Sequence, residues 1–171
     1  MQPTRVRPDG SLLGLLAALY PTVRWKDVTF HDGIPAVLRI FTQGGITFPD
    51  PLGTRGIRIY VARWDPDTLR GLALLVHEAF HVLQYQEALG GVGLGPLRAF
   101  AVKYLLRAAF EGGGERNAYE APAYAHERAF LAACLRLPAP LFAGDGTIDP
   151  AMQHELLCGN PSLIRRTSLD A

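Results

Sequence analysis

Apolar residues at helical spacing mark the first element: Leu12, Leu15, Leu16 and Leu19 fall on one face, with Ser11 as cap and Pro21 as stop. From Val28 the pattern changes to short β-like runs, Val28–Phe30, Val37–Thr42, Ile46–Phe48 and Ile57–Ala62, separated by Asp32-Gly33, Gly44-Gly45 and a Pro- and Gly-containing stretch over 49–56. In the last run Ile57, Ile59 and Val61 alternate with Arg58, Tyr60 and Ala62, which predicts a half-buried strand with one polar face.

The second half reads as helical. Asp65-Pro66-Asp67 is a helix start, with Asp65 as cap and Pro66 in the first turn, and the helix is expected to run to Leu89, before Gly90-Gly91. Gly71 within it costs about 1 kcal/mol relative to Ala, so a close approach at that point is expected. Further helices are predicted over Pro96–Phe110, Ala118–Leu135 (ended by Pro138) and Pro150–Leu157. The expected class is α+β: a small mixed sheet with an active-site helix behind it over about residues 1–93, then a helical half over about 94–171, together one domain.

Composition narrows the function. With 49% hydrophobic and 19% charged residues, 18 Gly and 13 Pro, the chain is neither disordered nor collagen-like. No apolar run approaches the ~18 residues that span a bilayer. A net charge of +1, without a block of like charge, makes nucleic acid an unfavoured partner. Arg5 and Arg7 before Leu12–Tyr20 imitate a signal peptide, but residues 20–23 offer no small-x-small cleavage site. A helix of the mature protein and a cytoplasmic location are therefore the expectation, with export by a specialised secretion system left open. Cys134 and Cys158 are too few for a disulfide scaffold; two buried thiols, or one compartment-dependent bridge, are expected.

The chemistry lies in His77-Glu78-Ala79-Phe80-His81, an HExxH motif inside the second predicted helix. Positions i and i+4 share a helical face, so the two imidazoles can converge on one ion, while Glu78 sits about 100° round and reaches a water beside it. Two nitrogen ligands, an open position and a carboxylate base are what a zinc hydrolase needs. In a chain of this composition the motif arises by chance about 0.006 times. A buried, metal-free histidine pair is the competing reading, at a large desolvation cost. The third ligand must come from elsewhere, because Gln84 and Glu87 occupy the positions where an HExxHxxGxxH pattern has its glycine and third histidine. Glu111, Glu115, Glu120, His126, Glu127, His154, Glu155 and Cys158 are the candidates.

Leu75 to Tyr85, with Ile46–Phe48, Arg58–Val61 and Asn117–Tyr124, resembles the small bacterial gluzincin-type metallopeptidases, in particular a minimal domain found in bacterial toxins and injection-system effectors. Asp27–Gly33 resembles that domain's first strand, and the likeness extends over roughly residues 27–131. The resemblance implies a zincin-like fold, Zn²⁺ held by His77, His81 and Glu120, peptidase activity on a peptide or protein substrate, and a peptide lying along Ile57–Ala62. Pro122 departs from the pattern: either the helix begins near Glu120, which puts Pro122 in its first turn, or the ligand is another residue, with Glu127 next in line.

Tyr124, one turn beyond Glu120, is either an oxyanion-stabilising group or a core tyrosine. Gln84 is either a partner of a metal ligand or a polar residue near a helix end, and His31 and His154 read as surface or satisfied histidines. Two other functions use the same residues: a zinc-dependent amidase acting on a non-protein or cell-wall substrate, and a non-catalytic domain stabilised by metal.

Overall fold

Strands β1 (Thr4–Val6), β2 (Val28–Asp32), β3 (Gly45–Pro49) and β4 (Ile57–Val61) form one mixed sheet in the order β1-β2-β4-β3. The computed structural model describes residues 2–39, 42, 44–50, 56–89 and 117–165, without the side chains of 88 and 89. β2 and β4 run parallel, while β1 is antiparallel to β2 and β3 to β4. Four α-helices occur among the described residues: α1 (Gly10–Leu19), α2 (Leu69–Leu89), α3 (Glu120–Cys134) and α4 (Pro150–Gly159). The class is α+β, as the patterning predicts. The helix expected over 96–110, the boundary near 93, Glu111 and Glu115 lie outside the described residues.

Several local expectations are corrected. β1 carries no sequence signal beyond a single valine, yet it pairs with β2. Of the run Val37–Thr42, expected to form a strand, Val37 and Leu38 instead lie in a 3₁₀ turn over Ala36–Leu38, with Val37 74% exposed, while 40 and 41 lie outside the described residues. Gly33 at φ +89° turns the chain out of the sheet, and Pro35 then fixes the entry to that turn. β4 is a central strand, paired on both sides, so it offers no edge to a peptide; among the described residues the edges are β1 and β3, and β3 is the one beside β4. Nor is the far side of β4 polar throughout, since Tyr60 is buried there against Ile34 and Ile46.

The helix starts also move. Asp9, not Ser11, caps α1, its carboxylate accepting from Leu12 N at 2.8 Å and from the Ser11 hydroxyl at 2.7 Å. Asp65-Pro66-Asp67 forms a turn ahead of α2, and Thr68 does the capping, with its Oγ1 accepting from Gly71 N at 3.1 Å and its carbonyl from Leu72 N at 2.8 Å. A Cβ at Gly71 would overlap the Asp65 carbonyl oxygen, which is the close approach the sequence anticipates. Asp149 caps α4, with Pro150 in its first turn.

The core lies between one face of the sheet and the helices. Val28, Phe30, Ile57, Ile59 and Val61 face α2, which is wrapped so fully that no residue from Leu75 to Leu83 is exposed. On the other side of α2, α3 buries Ala123, His126, Phe130 and Ala133. Cys134 is buried and Cys158 exposed, and both are free thiols, so neither the bridge nor a second buried thiol is found.

His126 joins three elements in the apolar interior. Its Nε2–H donates to Leu163 O at 2.9 Å, and the Tyr20 hydroxyl shares its one proton between Val76 O in α2 and the unprotonated Nδ1, each 2.7 Å away. Burial, reinforced by the charge of Arg165, depresses the His126 pKa to about 4. An unfolded histidine titrates near 6.5, so between these values the unfolded chain binds more protons and stability falls as pH drops, by up to about 3 kcal/mol. Wild type should therefore lose more stability than His126→Gln between about pH 6.5 and 4. Denaturant titrations at three pH values measure the difference, and parallel slopes would rule out this role.

Candidate metal centre

His77 and His81 point from the buried part of α2 toward the first turn of α3, where Glu120 stands. The helix begins at Glu120 because the Asn117 side chain accepts from Tyr119 N at 2.9 Å and its carbonyl from Glu120 N at 3.0 Å. Pro122 therefore falls in the first turn, where its missing N–H is not needed.

The donor atoms converge. His77 Nε2 lies 3.2 Å from His81 Nε2 and 3.2 Å from Glu120 Oε2, and His81 Nε2 lies 3.5 Å from Glu120 Oε1. Tetrahedral coordination with bonds of about 2.0–2.1 Å sets donors about 3.3 Å apart, and the separations to the two Glu120 oxygens are of that size. Among the described residues, His77, His81 and Glu120 are the one group of three able to hold a metal ion.

The outward ring nitrogens have their own partners. His81 Nδ1 lies 2.8 Å from Gln84 Oε1, and Gln84 Nε2 in turn donates to Tyr119 O at 3.0 Å, fastening α2 to the start of α3. His77 Nδ1 lies 3.0 Å from Glu127 Oε2. An acceptor at Nδ1 fixes the tautomer that leaves Nε2 free to ligate. Of the two glutamates the sequence leaves open, Glu120 thus sits on the donor side of the ring and Glu127 on the outer side. Burial opposes charge on His77, but the Glu120 and Glu127 carboxylates outweigh it and push its pKa up to about 10. A metal ion competes with that proton for Nε2.

Glu78 turns the other way, toward β3. Its side chain is 3% exposed, and burial raises its pKa against the opposing pull of His81, His77 and Thr47. Thr47 Oγ1 donates across 2.8 Å to Glu78 Oε2 and 2.9 Å to Glu78 O, sharing one proton between them. Gly45 makes the space: a Cβ there would lie 2.6 Å from Glu78 Oε1. Sequence reading misses both residues, because a threonine and a glycine in a β-run carry no catalytic signature. The alternation of β3 that places Gly45 and Thr47 on one face was the available signal.

The remaining candidates are elsewhere. The Tyr124 ring packs edge-on against His77, with centroids 4.5 Å apart. His126 is in the core network, while His154, Glu155 and Cys158 lie exposed on α4, where the Cys158 sulfur is 3.6 Å from His154 Nε2. His31 lies half-buried on β2, 3.2 Å from Thr29 Oγ1.

This geometry ranks two substitutions. Glu127→Ala should weaken zinc binding by the 10- to 100-fold typical of losing a histidine's outer partner, and Glu120→Ala by more than about 100-fold. Competitive titration of both variants against a chelator gives the ranking, and the reverse order would transfer the ligand role to Glu127.

No protein-family model, curated protein or solved structure matches the chain, so the meaning of the centre rests on its own geometry.

Proposed function

We propose that the protein is a zinc-dependent peptide hydrolase of zincin-like architecture, with His77, His81 and Glu120 as ligands and Glu78 as general base and acid. The triangle of two Nε2 atoms and one carboxylate, with both Nδ1 atoms already engaged, carries this reading. Two imidazoles and a carboxylate suit zinc among the common ions, and three protein donors leave a position open. Zinc, when bound there, would supply a Lewis acid and water made acidic enough to deprotonate near neutral pH.

The protein's own residues account for the proton. Glu78, held by Thr47 in a buried pocket with a raised pKa, accepts a proton as the water oxygen bonds to the substrate carbonyl carbon. When the carbon–nitrogen bond breaks, Glu78 returns that proton to the departing amine. In this reading Tyr124 steadies the charge on the carbonyl oxygen. A site that used metal only for stability would have no need of a carboxylate so held beside its donors.

The edge strand β3 supports a peptide as substrate. Ala62 N donates to Gly44 O and Asp50 N to Gly56 O, so antiparallel alternation turns the N–H and C=O groups of Gly45 and Thr47 away from β4. Among the described residues no strand pairs with that edge. Pro49, which has no N–H, stands where an edge strand tolerates it. A peptide added along β3 would bring its carbonyls beside Glu78.

Glu78→Gln should keep its fold and one zinc per chain while peptide cleavage falls by about 10²- to 10⁴-fold. Elemental analysis beside a cleavage assay on a peptide library tests it, and a fully active variant would sink the mechanism. Gly45→Ala should likewise bind zinc normally, yet lose about 10²-fold in kcat/KM because its methyl group displaces the Glu78 carboxylate. A crystal structure of this variant with the carboxylate unmoved would refute that account.

A further inference from the structure

The face of the sheet turned away from α2 carries a second arrangement of chemistry. Pairing places Arg5, His31 and Tyr60 side by side across β1, β2 and β4, with Thr29 beside Arg58 in the adjoining row. Toward β3 this face is covered by Ile34, Ile46 and Tyr60, with Leu38 and Phe48 packed on them. Toward β1 it opens into a groove of about 580 Å³, lined by Arg5, Lys26, Thr29, His31 and Arg58, with Asp27, Asp50 and Gly56 also contributing. That volume lies within the range of small-molecule sites.

Among the described residues the charges that line the groove do not balance. Asp50 pairs with Arg58 at 2.9 Å, and Asp27 pairs with Arg24, which is not part of the lining, at 3.4 Å. Among the described residues, neither Arg5 nor Lys26 has a carboxylate within ion-pair distance. Half-buried His31, stacked 4.8 Å from the Tyr60 ring, is held neutral first by burial and then by the charges of Arg58 and Arg5. Cations gathered from β1, β4 and the turn before β2, over an imidazole that does not share their charge, form a positive concavity that an anion would relieve.

We propose that this groove binds the phosphate group of a small molecule, held by Arg5, Lys26 and Arg58 with the Thr29 hydroxyl as a further donor. Guanidinium forks match the oxygens of a phosphate, and the two cations without a carboxylate partner among the described residues, Arg5 and Lys26, match the charge of a dianion better than that of a single carboxylate. Asp27 and Asp50 on the lining disfavour a long run of phosphates and so a nucleic acid strand. The site is on the opposite sheet face from Glu78 and is independent of the hydrolase reading.

His31 is the reporter. The ring resonances of the metal-loaded protein are followed by NMR during titration with inorganic phosphate, O-phosphoserine, acetate and a DNA oligonucleotide. The expected result is a saturable shift of His31 at concentrations up to about 20 mM phosphate or phosphoserine, with a raised His31 pKa in the complex, while exposed His154 stays put. Arg5→Gln with Lys26→Gln should weaken that binding at least 10-fold and leave Tm unchanged, because both side chains are exposed. An unmoved His31, a shift that grows without saturating, or undiminished affinity in the double variant overturns the proposal. Tighter binding of acetate or of DNA than of phosphate overturns the ligand class.

Discussion

Two imidazoles buried on one helix present four ring nitrogens, and each must meet a partner or an ion, because an unsatisfied polar group in that interior costs up to several kcal/mol. The structure answers by division: Nδ1 of His81 and of His77 face Gln84 and Glu127, and both Nε2 atoms face Glu120. The division dictates the phase of α3 against α2. Glu120 and Glu127 are about 10 Å apart along the α3 axis, and the His77 ring spans the gap between their carboxylates. Gln84 makes the third tie, to the backbone where α3 begins.

The sheet contributes by holding what the histidines cannot. Glu78 occupies the next position round α2, so it faces β3 while its neighbours face α3. A carboxylate at that depth needs a donor and room, and alternating positions of one strand supply them: Thr47 the hydroxyl, Gly45 the missing side chain. The same two residues turn their backbone groups outward. One strand therefore fixes the carboxylate and the available sheet edge relative to each other, with no loop between them to vary.

How much of this was legible depended on whether each feature is local. The HExxH spacing, the apolar face of α1, the Pro at the start of α4 and the need for a glycine at position 71 are set within one or two helical turns, and all could be read. Helix starts at Asp9 and Thr68 were displaced because several neighbouring oxygens compete for the same amides, and side-chain geometry decides between them. Strand order was not legible. The alternation of Ile57, Ile59 and Val61 says that one face is buried but not that strands lie on both sides, so it leaves unopposed the peptide that the resemblance places along Ile57–Ala62. Three-residue β1 owes its existence to β2, and Thr47 owes its role to Glu78, thirty-one positions away.

The approach of Glu120 to His77 and His81 is one of three ties, with Glu127 to His77 and Gln84 to Tyr119, that hold α3 in register on α2. Such a centre is intolerant of phase on either helix. An insertion within α2 between the two histidines would rotate one imidazole off its face, and one within α3 between Glu120 and Glu127 would part the two carboxylates from the ring they share. Change among related chains should accordingly be slowest on the contact faces of α2 and α3.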